Sequence, residues 1–157
     1  MDVRRLINLA FAEKRKKNWE KLYFLVDLHG TVVRGYDKKD LYAKPLAYYP
    51  GARETLREMS GRNDIHLILW TGTKREEAVA IMENMKWDGI VFDNLNENPE
   101  VGNTDRYCAS EKIYFNVGID DRFGFDAEAG DWKLVMVALL DNPEYVNVLK
   151  VERKFGK

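Results

Sequence analysis

Four short apolar runs limit the fold of this chain more than any other feature of its sequence. They span residues 22–26, 65–70, 90–92 and 113–119, and the first two are nearly continuous. Apolar runs without alternation are typical of strands that are buried on both faces, as in a parallel sheet. Segments with helical spacing of apolar residues lie between the runs, at 2–19, 51–59, 74–87 and from Asp131 onward.

Strands that alternate with helices predict an α/β fold. We expect a three-layer, Rossmann-like domain in which right-handed crossovers place helices on both faces of a mainly parallel sheet. The 157 residues fit a single domain, with an N-terminal helix within residues 1–20. The segment from Asp131 is rich in valine, so a strand is an alternative to a helix there. Residues 141–155 fit a helix or a strand equally well.

Composition excludes several classes of protein. Hydrophobic residues make up 45% and charged residues 32% of the chain, which is ordinary for a globular protein and excludes disorder and collagen. The formal net charge of -1 does not indicate nucleic-acid binding, although a basic run at 14–17 favours it slightly. No apolar run approaches the roughly 18 residues of a membrane helix. Cys108 stands alone and cannot form an internal disulfide, so we expect a cytoplasmic location and no membrane partner.

Acidic residues follow two of the apolar runs. Asp27 follows the first run, and Asp120 and Asp121 follow the fourth. Ligands of open parallel sheets bind beyond the carboxyl ends of the strands, where these carboxylates can meet. Oxygen ligands of this kind suit Mg²⁺, which could clamp a phosphate group. One carboxylate could instead attack phosphorus and form an aspartyl-phosphate.

Groups suited to phosphate lie nearby in the pattern. Thr71, Gly72 and Thr73 follow the second run and lead into a helix, and hydroxyls and N–H groups at such a place bind phosphate oxygens. Lys112 stands at the start of the fourth run, where its charge would offset that of a phosphate. Arg122 would suit a phosphate-bearing substrate at the mouth of the site.

Together these motifs resemble those of the haloacid dehalogenase-like hydrolases. The likeness rests on FLVDLHGTVV at 24–33, LILWTGT at 67–73, Lys112 in SEKIYF, and VGIDDR at 117–122, in that family's order. The sequences of the second and fourth motifs are also similar to those of small capless phosphatase-like members of this family. The resemblance implies that Asp27 is the nucleophile, that Thr71 hydrogen-bonds the transferred phosphoryl group, and that Lys112 steadies both.

The resemblance also implies a Mg²⁺ site and one departure from the family. Asp120 would bind the metal, Asp121 would be a second ligand or an outer acceptor, and Asp27 and the backbone carbonyl of His29 would complete the site. His29 stands where the family usually has an acid/base aspartate. Histidine transfers protons near neutral pH, but a nearby cation favours the neutral ring while carboxylates favour the charged one. A neutral His29 would be a poor acid, although it could still accept a proton from water.

No segment is long enough for a folded cap over this site. Residues 32–50 predict a hairpin flap with a turn near 35–37, and residues 93–110 predict a long polar loop. An open site admits large substrates, or a partner subunit in a homo-oligomer could supply the lid. The flap tyrosines would line the entrance or a subunit contact: Tyr36, Tyr42, Tyr48 and Tyr49. We interpret Trp70 and Trp132 as packing residues.

The sequence thus favours a Mg²⁺-dependent phosphatase that hydrolyses a phosphomonoester through an aspartyl-phosphate at Asp27. A nucleotide or a nucleic-acid end is the substrate to try first. The alternative is a catalytically weak protein that binds a phosphorylated ligand or partner. Phosphoryl transfer to an acceptor other than water is a third hypothesis.

Overall fold

The computed structural model of this chain describes residues 2–35, 37–102 and 112–144. Four parallel strands form its sheet in the order β3-β2-β1-β4: β1 (Leu22–Asp27), β2 (Ile65–Trp70), β3 (Asn94–Leu95) and β4 (Val117–Ile119). β1 and β2 pair along their whole lengths, from Leu22 opposite Ile65 to Asp27 opposite Trp70. The carboxyl ends of β1, β2 and β4 therefore lie at one edge of the sheet.

The helices enclose a core on one face of that sheet. They are α1 (Val3–Lys17), α2 (Lys38–Leu41), α3 (Ala52–Ser60), α4 (Arg75–Trp87) and α5 (Asp131–Asp141). In α1 the buried residues Val3, Ile7 and Phe11 recur at helical spacing, which places them on one side of the helix. They join Phe24 and Val26 of β1 in the main apolar cluster. This arrangement confirms the predicted α/β, Rossmann-like fold.

The opposite face of the sheet is covered differently. Tyr23, Leu25 and Ile68 lie there and pack against Val101 and Ile113 of the connecting segments. The crossovers from β1 to β2 and from β2 to β3 run in the same direction, so right-handedness places α3 and α4 on a single face. In the described ranges, the third layer therefore consists of connecting segments, and the expected helices on that face are absent.

Two of the predicted strands differ in the structure. The buried residues Ile90 and Phe92 lie in a connection, and the third strand is Asn94–Leu95. The Ile90 N–H still bonds to the Met85 carbonyl, which ends α4, so the chain is not yet extended there. The fourth strand begins at Val117 rather than at residue 113, because Asn116 turns its side chain to the N–H of Tyr23. The 90–92 run therefore marked burial rather than a strand, whereas residues 113–116 of the fourth run are exposed or only partly buried.

The segment from Asp131 is a helix, which resolves the open alternative, and its N-cap is Gly130. The base of the predicted flap pairs as a hairpin through a bridge between Val33 and Tyr48, and α2 lies within the flap. No large cap domain is present in the described residues. Tyr36, residues 103–110 of the predicted loop and residues 145–155 lie outside the described ranges. Across those ranges, no helix has the length and apolar character needed to span a bilayer.

Candidate active site

Three carboxylates meet at the carboxyl edge of the sheet. Asp27 is the last residue of β1, and Asp120 and Asp121 follow the adjacent strand β4. One oxygen from each of the three lies within 4.8 Å of the others. Asp120 is buried, Asp27 is partly buried and Asp121 is exposed, so the group opens to solvent on one side.

Their proximity and burial change how these groups ionise. Burial, with the nearby charge of Asp120, raises the pKa of Asp27 from 3.8 to about 6, although hydrogen bonds from Thr31 and the Leu28 N–H oppose the shift. Burial also raises the pKa of Asp120, and Asp121 adds to that shift. A cation would relieve this crowding of negative charge. Because every donor in the cluster is a carboxylate oxygen, the set fits a hard divalent ion such as Mg²⁺.

Thr31 forms hydrogen bonds to residues at both acidic strand ends. It was not among our predicted site residues. Its hydroxyl donates to Asp27 Oδ2 at 3.0 Å and accepts from the Asp121 N–H at 3.1 Å. Its backbone carbonyl accepts from Trp132 Nε1 at 2.7 Å, and both Thr31 and Trp132 are fully buried. The sequence did carry a signal, since a threonine follows the tight turn at Gly30 immediately after the strand.

The Thr71–Thr73 turn forms the wall of the site next to β2. Asn96 holds the backbone of Thr71 by two bonds of 2.8 Å, accepting from its N–H and donating to its carbonyl. The Thr71 hydroxyl accepts from the Thr73 N–H at 3.2 Å and lies 2.9 Å from the Thr73 hydroxyl. Asn96 is a second residue that we missed. No local signal could identify it, because it lies 25 residues from its partner.

The side chain of His29 joins this turn to the flap. Its Nδ1 lies 2.9 Å from the Gly35 carbonyl, and its Nε2 lies 3.0 Å from the Thr73 hydroxyl. A carbonyl only accepts, so Nδ1 carries a proton, and a neutral ring then accepts the Thr73 proton at Nε2. The ring nitrogens do not belong to the cluster formed by the three carboxylates.

These groups border an open cavity of about 480 Å³. Seven of the eight predicted site residues line it: Asp27, His29, Thr71, Gly72, Asp120, Asp121 and Arg122. Lys112, the eighth, is exposed and is not part of the lining, so its predicted role gains no support from the geometry. Three further residues line the cavity, Trp70, Thr73 and Glu77. Trp70 is 41% exposed and is therefore not a core residue, whereas Trp132 is fully buried as expected.

Comparison with known proteins supports the fold alone. No protein-family model matches the chain, and no curated protein matches it. Among solved structures, the chain is similar to a conserved protein from Bacteroides thetaiotaomicron. The two share 24% sequence identity with a TM-score of 0.55, over 78% of this chain and 93% of the other. At this identity the likeness extends to the α/β arrangement and not to an activity.

Proposed function

We propose that this protein is a Mg²⁺-dependent phosphatase that hydrolyses phosphomonoesters through an aspartyl-phosphate at Asp27, as a capless haloacid dehalogenase-like enzyme. The observation that carries the proposal is the shared cavity. It joins three converging carboxylates on one wall to the Thr71–Thr73 turn, with its two hydroxyls, on the other. One wall suits a divalent cation and the other suits phosphate oxygens.

Asp27, Asp120 and Asp121 would hold the metal. When bound, Mg²⁺ would offset the charge of the carboxylates and of the phosphate, which otherwise repel each other. Thr31 supports this role indirectly, because it fixes Asp27 relative to the loop that carries Asp121.

The reaction would run in two displacements at phosphorus. In the first, a carboxylate oxygen of Asp27 attacks phosphorus, the bond from phosphorus to the ester oxygen breaks, and the leaving oxygen takes a proton from solvent. In the second, water attacks the phosphorus of the aspartyl-phosphate, the bond from phosphorus to Asp27 breaks, and the proton that water loses passes to His29 and then to solvent. The net products are an alcohol and inorganic phosphate.

Proton transfer is the step in which His29 matters. Its ring reaches the phosphate-side turn through Thr73, which places a proton-accepting group within the cavity. With Nδ1 bonded to Gly35, the neutral ring has no second proton to give to a leaving alkoxide. We therefore expect a higher kcat for substrates whose leaving groups need little protonation, as in aryl or acyl phosphates, than for alkyl phosphates such as nucleotides.

The test is phosphate release from a panel of phosphate esters, with and without Mg²⁺. The panel holds nucleotides, phosphorylated oligonucleotides, sugar phosphates, a phosphopeptide and an aryl phosphate. We expect Mg²⁺-dependent release that is lost in Asp27→Asn and kept in Asp37→Asn, which changes an exposed carboxylate outside the cavity lining. Release that survives Asp27→Asn would exclude the proposed nucleophile.

A second candidate function is binding of a phosphorylated ligand without turnover. The engagement of both ring nitrogens of His29 favours it, because this leaves the cavity short of an acid for an alkyl leaving group. Mg²⁺-dependent binding of phosphate esters with no hydrolysis across the panel would support this function over the first.

A further inference from the structure

Trp70 lies beside the proposed nucleophile, Asp27. It is the last residue of β2 and lies directly opposite Asp27 in the parallel ladder. Neighbouring strands are about 4.8 Å apart, and residues in register point to the same face of a sheet. The indole therefore emerges next to Asp27, on the face that carries Ile68 and that no described helix covers.

Among the described lining residues, the indole is also the one large apolar surface in an otherwise polar cavity. The other lining residues are carboxylates, hydroxyls, His29, Gly72 and Arg122. Trp70 keeps 41% of its surface exposed, and among the described residues no ring or cation stacks on it. A large exposed indole in a concave site is complementary to a flat apolar group on the ligand.

We propose that Trp70 stacks on the base of a nucleotide whose phosphate lies between Asp27 and the Thr71–Thr73 turn. The inference rests on the proposed phosphatase function and specifies its substrate class. Base stacking on an aromatic side chain is tolerant of base identity, because every base has an apolar face. We therefore expect selection for a nucleotide over its sugar phosphate rather than selection for one base.

Two more exposed rings continue the same face of the sheet toward β4. Phe115 is 36% and Phe123 is 56% exposed, and both rings lie over Gly118, where a Cβ would come within 3.2 Å and 3.3 Å of them. Phe123 directly follows Arg122 of the cavity. If the nucleotide is the end of a strand, its further bases have these rings as stacking surfaces.

The test compares a nucleoside 5′-monophosphate with ribose 5-phosphate, which has the same leaving oxygen and lacks only the base. We expect the wild type to favour the nucleotide in kcat/KM. Trp70→Ala should lower that value about tenfold or more, mainly through KM, and leave ribose 5-phosphate nearly unchanged. Trp70→Phe should keep part of the preference. Trp87→Ala is the matched control, because Trp87 is 83% exposed and does not line the cavity.

The outcomes distinguish a failure of base stacking from a failure of the proposed phosphatase function. Equal losses for both substrates in Trp70→Ala, or no preference in the wild type, would overturn base stacking while the phosphatase stands. If neither substrate is hydrolysed, calorimetry of the wild type with both compounds and Mg²⁺ decides. Tighter binding of the nucleotide that Trp70→Ala abolishes supports stacking, and equal binding overturns it.

A second comparison in the same experiment distinguishes a free nucleotide from the end of a nucleic-acid strand. A 5′-phosphorylated single-stranded oligonucleotide is compared with the mononucleotide in the wild type and in Phe123→Ala. A higher kcat/KM for the oligonucleotide that Phe123→Ala lowers indicates a strand end. Equal values indicate a free nucleotide, and either result agrees with stacking at Trp70.

Discussion

Among single residues, Thr31 has the hydroxyl that most directly fixes the geometry of the acidic cluster. It fixes the Asp27 carboxylate and the Asp121 backbone at once. Thr31→Val keeps the shape of the side chain and removes both bonds, so we expect Mg²⁺ affinity and kcat/KM to fall about 10- to 100-fold. Titration calorimetry with Mg²⁺ and the phosphate-release assay measure the two effects.

Thr31→Ser is the control for that substitution, because it keeps the hydroxyl and removes only a methyl group. It should retain most of the Mg²⁺ affinity. Unchanged Mg²⁺ affinity in a folded Thr31→Val protein would show that the hydroxyl does not organise the cluster.

His29 allows a test of the proton-transfer argument. His29→Asp places a carboxyl group at this position, where a protonated form can donate to the leaving oxygen. We expect the turnover of alkyl phosphates to rise about tenfold or more relative to that of an aryl phosphate. The ratio of kcat for the two substrates is the quantity to measure. A ratio that stays constant would mean that the acid at this position does not limit the reaction.

At the scale of elements, the shortest of the hydrogen bonds between the flap and α4 lies at the C-terminal end of that helix. The Tyr48 hydroxyl donates to Asp88 Oδ2 at 2.6 Å, and Arg53 lies 3.4 Å from the other oxygen of Asp88. Tyr48→Phe removes a donor from a largely buried carboxylate. We expect a loss of roughly 1–3 kcal/mol in the free energy of unfolding.

Urea unfolding measures that loss. Tyr42→Phe is the matched control, because Tyr42 lies in the same flap and is 53% exposed. A loss no larger than that of the control would show that the bond to Asp88 does not stabilise the flap.

The elements differ in how well the sequence predicted them. β1 and β2 are buried on both faces and paired along their full length, so their continuous apolar runs coincide with their bounds. Residues 90–92 are equally apolar, but Ile90 and Phe92 fill the core from a connection. Hydrophobicity reports burial, and it indicates a strand only where backbone pairing follows.

The candidate site was predictable where its residues follow strands directly. Asp27, Asp120 and Thr71 are positioned by strand ends that meet at one edge, which is a property of parallel topology. The bond from Asn96 to Thr71 and the exposure of Trp70 depend on contacts and cavities between distant segments, so no local pattern reveals them.

At the scale of the whole molecule, the acidic cluster links stability to pH. In the folded, metal-free protein the pKa of Asp27 is about 6, against an ordinary value of 3.8. The folded state therefore holds this proton more tightly than the unfolded state does. The resulting stabilisation is fully present below pH ~4 and is lost as the pH rises through ~6.

Asp27→Asn removes the ionisable group and keeps the shape of the side chain. Without metal, we expect the variant to be more stable than the wild type by roughly 1–2 kcal/mol at pH ~8, a value reduced for solvent screening, and by little at pH ~4. Thermal unfolding in a chelator at both pH values measures this. Mg²⁺ should stabilise the wild type more than the variant, and a difference between the two proteins that does not depend on pH would contradict the linkage.

The proposed mechanism requires that Asp27 becomes covalently phosphorylated. The most direct measurement is mass spectrometry of the protein after brief reaction with an aryl or acyl phosphate and Mg²⁺, followed by an acid quench and peptide mapping. We expect one added phosphoryl group, located on the peptide that contains Asp27 and absent from Asp27→Asn. Phosphate release under the same conditions with an unmodified Asp27 peptide, or with the phosphoryl group on another residue, would contradict it.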